Sequence, residues 1–147
     1  MGGGSDRAGA GDRSWATSDC VMGVTYDTGA LVAADRGERQ MWARHRALLV
    51  RREVPTVPAP VVAQAWRGEG RQALLARLLV GCSVETLDEE RARSVGTLAA
   101  RAATTDIVDA CVAEGALRRY DLVVGSDISD LKAIAAAVNR RIEVERP

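Results

Sequence analysis

Val24-Thr25-Tyr26-Asp27-Thr28-Gly29 is a short β-prone run that closes on a carboxylate and a turn. The arrangement recurs late in the chain as Leu122-Val123-Val124-Gly125-Ser126-Asp127. Leu122–Val124 is apolar without alternation, the mark of a strand buried on both faces. Working outward, strands are expected over 21–26, 56–58, 84–87, 122–124 and 141–144. Helical spacing fills the gaps over 30–34, 39–52, 59–66, 72–79, 88–100, 106–116 and 129–138. Pro60 sits at an early helical position where its missing N–H costs little, and Asp88 reads as a helix cap. Alternating strands and helices predict a three-layer α/β/α domain with a mainly parallel central sheet.

At 147 residues the chain has room for one domain with its own core. Aromatic residues make up 3% and Phe is absent, so that core must be mostly Ala, Val and Leu. Residues 1–20 are rich in Gly, Ser, Asp and Arg without periodicity and read as a disordered leader or an expression remnant. Residues 21–147 then form the domain. Formal net charge is zero, which argues against a polycation, and Lys132 is the only lysine. Arginine suits bidentate phosphate contacts, although a biased genome alone also favours it.

Cysteine and histidine exclude several chemistries. Cys20, Cys82 and Cys111 are odd in number and widely spaced, and His45 stands alone. A zinc site of ordinary ligand spacing, a disulfide framework, a histidine-pair ribonuclease and a Ser-His-Asp triad are all disfavoured. Cys82 and Cys111 read as small buried hydrophobes, and His45 as structural or solvent-exposed. No signal peptide and no apolar span of about 20 residues is visible. A soluble cytoplasmic protein is expected.

The chemistry concentrates in aspartates. Asp27 and Asp127 follow strands, while Asp106 and Asp109 open a helix in Thr105-Asp106-Ile107-Val108-Asp109-Ala110. In a parallel sheet such positions collect at the carboxyl edge, where ligands bind. Each acid has a plainer explanation. Asp27 closes a turn, Asp106 caps a helix, Asp109 takes a surface position one turn on, and Asp127 with Asp130 makes a cap and first-turn acid. Together, however, clustered carboxylates repel unless a cation lies among them. A hard-metal site follows, and Mg²⁺ or Mn²⁺ suits carboxylate oxygens.

The ordered set Asp27-Thr28-Gly29-Ala30-Leu31, Asp106-Ile107-Val108-Asp109-Ala110-Cys111 and Val123-Val124-Gly125-Ser126-Asp127, with Asp130, resembles the PIN-domain ribonucleases. More narrowly it resembles the VapC-type toxins of toxin–antitoxin pairs, over about residues 21–144. The resemblance implies a metal-dependent endoribonuclease with Asp27, Asp109 and Asp127 as metal ligands and catalytic acids. Asp106, Asp130, Gln64 and Ser126 would support them. It also implies an RNA substrate, a cognate antitoxin protein and a homodimer; the Met41, Trp42, Leu48, Leu49 stripe is expected to be core in part, with an exposed remainder in the region that receives the antitoxin. Two positions depart from the pattern. Gln64 stands where the family carries a glutamate, and Gly125 where threonine is common. Glu69 would replace the missing charge only if its loop folded back, which is not expected.

Arg67 and Arg71 flank Gly68-Glu69-Gly70 and are candidate RNA contacts, with a solvated helix end as the alternative. A haloacid-dehalogenase-like phosphatase is disfavoured because Gly29 occupies the place of its second acid and Lys132 follows the late acids. A catalytically inactive PIN domain that only binds RNA or protein is the rival that Gln64 motivates.

Overall fold

The computed structural model describes residues 22–68 and 70–147. The expected leader, Cys20, Val21 and Glu69 lie outside the described residues. The chain runs β1 (Val24–Tyr26), α1 (Thr28–Asp35), α2 (Arg39–Val50), β2 (Thr56–Pro58) and α3 (Ala59–Ala65). A 3₁₀ turn at Gly70–Gln72 leads into α4 (Ala73–Val80). Then follow β3 (Ser83–Glu85), α5 (Glu89–Ala102), α6 (Ile107–Arg119), β4 (Leu122–Val124), α7 (Ile128–Ala136) and β5 (Val144–Glu145).

The five strands pair in the order β3-β2-β1-β4-β5, every pair parallel. Helix α1 packs with α2, α3 and α4, while α6 packs with α5 and α7. The expected α/β/α layering and parallel sheet are therefore observed. Chain order reverses between β1 and β4, so their carboxyl ends form the crevice at a topological switch point. Register places Tyr26 opposite Val124. The next residues, Asp27 and Gly125, thus leave the sheet side by side.

The core is built mainly from Ala, Val and Leu, as the composition requires, with Tyr26 and Met41 as its largest additions. Met41 and Leu48 point inward, whereas Leu49 is partly exposed, so the α2 stripe is core in part. His45 is buried and its Nδ1 pairs with the Tyr26 hydroxyl at 2.8 Å. Burial pushes that imidazole below its usual pKa and the Tyr26 phenol well above its own. Of the two readings for His45, the structural one holds. The Cys82 and Cys111 thiols are pushed up to about 12 and about 11 by burial, so neither is a reactive nucleophile. No helix among the described residues is long and apolar enough to cross a membrane.

An arginine cluster anchors the far end of α6. Arg119 donates to Asp121 at 2.9 Å, to Glu85 at 2.7 Å and to the Thr25 hydroxyl at 2.8 Å. Arg118 bridges Glu85 and Glu114. Asp121 is 7% exposed, and removing Arg119 would leave it without its cation. Arg119→Ala is expected to cost about 1.5 kcal/mol, read as a lower urea midpoint at unchanged slope.

Candidate metal centre

Asp27 caps α1, accepting the Thr28 N–H at 2.7 Å through Oδ1. The turn-closing role foreseen for it is real, but it occupies only half of the carboxylate. Oδ2 is buried and has no hydrogen-bond partner, although buried polar atoms are almost always paired. The residue is 1% exposed. Burial pushes its pKa up to about 6; the Thr28 N–H opposes the rise, and the charges of Asp127 and Asp106 add to it.

Asp106 caps α6 and accepts the Asp109 N–H at 3.0 Å. Asp109, on the first turn, faces inward and is 4% exposed. Its carboxyl is pushed up to about 7, first by burial and then by the charges of Asp106, Asp27, Asp127 and Asp130. Asp127 occupies the cap position of α7 yet makes no capping hydrogen bond. A cap therefore does not explain it. One carboxylate oxygen each from Asp27, Asp109 and Asp127 lies within 4.8 Å of the other two. No Arg or Lys pairs with any of the three among the described residues.

The supporting residues divide. Ser126 is exposed and lies against Gly29, where a Cβ would come within 2.8 Å of the Ser126 nitrogen. Asp130 is exposed on α7 outside the three-acid cluster, and influences Asp109 through charge alone. Gln64 does not bond the acids; its Oε1 accepts the Thr28 hydroxyl. Gly125 has a positive role, because a Cβ there would lie 2.7 Å from the Asp27 Cβ and 3.0 Å from Oδ2. Its absence of side chain is what lets β4 run alongside the buried acid.

Arg67 and Arg71 are exposed and line no part of the crevice beside the acids. Their loop is held instead by Gln72, which accepts the Arg67 N–H at 2.7 Å and donates to the Ala65 carbonyl at 2.9 Å. Gln72 and the crevice residues Arg36, Glu38 and Arg146 were not singled out from the sequence, and Thr28 was read only as part of a turn and motif. Gly29, Val32, Ala33 and Arg36 follow helical spacing along one face of α1, a signal that was present. A second cleft of about 490 Å³ between α2 and α4 is lined by Arg39, Trp42, Arg46, Leu74 and Arg77. The Arg77 guanidinium lies 5.7 Å from the Trp42 ring centre.

No protein-family model and no curated protein matches this sequence. Solved structures do match in shape. FitAB bound to the IR36 DNA fragment aligns at 16% identity and TM-score 0.60, over 84% of this chain and 94% of that one. VapBC2 from Rickettsia felis, bound to a DNA fragment from its promoter, aligns at 15% identity and TM-score 0.64, over 86% and 99%. PAE2754 from Pyrobaculum aerophilum aligns at 19% identity and TM-score 0.56, over 83% of each chain. The fold is PIN-like. Identities this low carry the fold and nothing finer. Within the PIN-like fold the three acids occupy the switch-point crevice, where a ligand site is expected on topology alone.

Proposed function

We propose that this chain is a metal-dependent endoribonuclease, acting as the toxin of a toxin–antitoxin pair. The observation that carries the reading is the cluster of Asp27, Asp109 and Asp127 carboxylates, in which the Oδ2 of Asp27 is buried without a hydrogen-bond partner. Three acids without a cationic side chain are a poor arrangement for a fold by itself and a good one for a hard divalent ion. Asp27, Asp109 and Asp127 would hold Mg²⁺ or Mn²⁺, and such an ion supplies a water of lowered pKa and a sink for charge on the scissile phosphate. The chain's own part is to keep these oxygens converged. The Thr28 N–H fixes Asp27, and Asp106 fixes the helix start that aims Asp109. Histidine has no share in it, because His45 is committed to Tyr26 in the core.

The likeness in fold to FitAB and VapBC2 supports the toxin assignment. The cleft between α2 and α4, with Trp42 and Leu74 among Arg39, Arg46 and Arg77, suits an amphipathic acidic segment of a cognate antitoxin. A homodimer and a cytoplasmic setting belong to the same reading. Gln64 favours one rival, since it is turned to Thr28 and adds no charge to the acids. That rival is a PIN-like module that binds RNA without cutting it.

Incubating the purified full chain with structured and single-stranded RNA separates the two. Cleavage in Mg²⁺ or Mn²⁺, silent in EDTA and lost in Asp27→Asn, is the expected result. Folded protein that binds Mn²⁺ but cuts no RNA in any metal would favour the binding module.

A further inference from the structure

Beside the three acids opens a crevice of about 530 Å³ that includes Asp127 in its wall. Besides Ser126 and Glu38, its polar lining comes from distant parts of the chain: Thr28 and Arg36 from the two ends of α1, Gln64 from α3, and Arg146 from beyond β5. Both arginines are exposed, and neither guanidinium has an ion-pair or hydrogen-bond partner among the described residues. Arg146 is free for an identifiable reason. Its neighbour Glu145 is paired with Arg44 at 2.9 Å, and Arg44 also donates to the Arg146 carbonyl at 3.2 Å. The backbone is thereby held and the acid neutralised, which leaves the Arg146 charge uncompensated. Glu38 lines the same crevice without pairing to either arginine.

Gln64 fits this arrangement better than it fits metal binding. Its oxygen accepts the Thr28 hydroxyl, and its amide nitrogen has no partner among the described residues. What remains to offer is an N–H donor. A glutamate in that place would present only acceptors and a negative charge. Beside Glu38 and Asp127, the wall therefore carries two unpaired cations and a neutral donor. Among the described residues no aromatic side chain lines the crevice, and none offers a platform on which a base would stack.

We propose that Arg36, Arg146 and Gln64 form a seat for a phosphodiester of single-stranded RNA adjacent to the one cleaved at the acids. The assignment rests on the ribonuclease reading and adds a substrate contact to it. Arginine forks match phosphate oxygens bidentately, and the Gln64 amide supplies a third donor. Because the contacts are to backbone, they position the strand without reading its sequence.

The test is anisotropy with short fluorescein-labelled oligo-U and oligo-A RNA, with Ca²⁺ in place of Mg²⁺, using the full chain. Arg36→Ala and Arg146→Ala should each weaken binding roughly three- to tenfold, equally for both RNAs. The slope of log affinity against log salt should fall by about 0.7 per arginine removed. Arg36→Lys should recover part of the loss, and Arg93→Ala on α5 should change nothing. Mn²⁺ affinity and Tm should stay at wild-type values in every one of these variants. If wild type binds and cuts RNA while the arginine variants bind equally well, the seat is refuted and the nuclease reading survives. If wild type neither binds nor cuts RNA, both fall together. A loss limited to one RNA, or a parallel fall in Tm and Mn²⁺ affinity, would also overturn the seat.

Discussion

Asp109→Asn is expected to abolish RNA cleavage, by about 10³-fold or more, while raising the Tm of the metal-free chain. Both effects have one cause. Asp109 is 4% exposed, and its carboxyl is pushed up to about 7 by burial and by four neighbouring aspartates. In the unfolded chain the same group titrates near about 4. The folded state therefore keeps a proton that the unfolded state has already released. For such a group the contribution to stability is full below about pH 4 and is lost as pH rises toward about 7. Asp27, pushed up to about 6, acts in the same direction. Asparagine removes the penalty, for a gain of about 1–2 kcal/mol and roughly 4–8 °C at neutral pH. The gain should shrink as the pH is lowered toward about 4, where the wild-type acid is itself protonated. With Mn²⁺ present the order should invert. An ion at about a hundred times its Kd stabilises the wild type by about 2.7 kcal/mol, and the variant loses most of that. Thermal melts at two pH values, each with and without Mn²⁺, check all four corners. A Tm lowered by several degrees in both Asp27→Asn and Asp109→Asn without metal would make these acids structural caps.

The acids were legible because each ends an apolar run or opens a helix, and a parallel sheet gathers such places at one edge. The strands were legible for the same reason, though their ends were not. A last strand was expected over 141–144, yet β5 is Val144–Glu145. Ile142 is buried and mimics a strand residue, but the ladder forms only where Val123 and Gly125 donate to the carbonyls of Glu143 and Glu145. Helix α6 runs to Arg119, three residues past its expected end at 116. It stops at Tyr120, which adopts φ 60°, a left-handed cap without the glycine that normally marks one. The third strand, expected over 84–87, begins one residue earlier and ends at Glu85, whose side chain is drawn to Arg118 and Arg119. Arg67 and Arg71 were candidate RNA contacts because they flank a glycine-rich turn, a local signal. The crevice beside the acids takes Arg36 and Arg146 from positions 110 residues apart, a proximity that no local pattern announces.

Gly125→Thr is expected to damage the metal centre from behind, although threonine is the commoner residue in the family that this chain resembles. Replacing a glycine with a larger residue often stabilises by about 0.4–1 kcal/mol, because the unfolded chain loses freedom. At this position the native state decides the sign. A new Cβ would stand 2.7 Å from the Asp27 Cβ and 3.0 Å from Oδ2. Neither side can yield cheaply. Gly125 donates to the Glu145 carbonyl at 2.9 Å, and Asp27 donates to the Val124 carbonyl at 2.9 Å. The Asp27 carboxylate is further tied to the Thr28 N–H. Relief therefore requires β1 and β4 to part at their carboxyl ends or Asp27 to turn out of the three-acid cluster. Overpacking of this kind costs about 2–3 kcal/mol. Displacing one ligand by even a fraction of an ångström should lower Mn²⁺ affinity by about 10–100-fold. Gly125→Ala, which adds only the offending carbon, should show most of both effects. Gly96, at an exposed position of α5, supplies the contrast, since a Cβ there meets nothing within 4 Å. Gly96→Ala should stabilise by about 0.5–1 kcal/mol and leave Mn²⁺ binding alone. If Gly125→Ala instead matched Gly96→Ala in melting and metal titration, the close approach of β4 to Asp27 would not be what holds the acid in place.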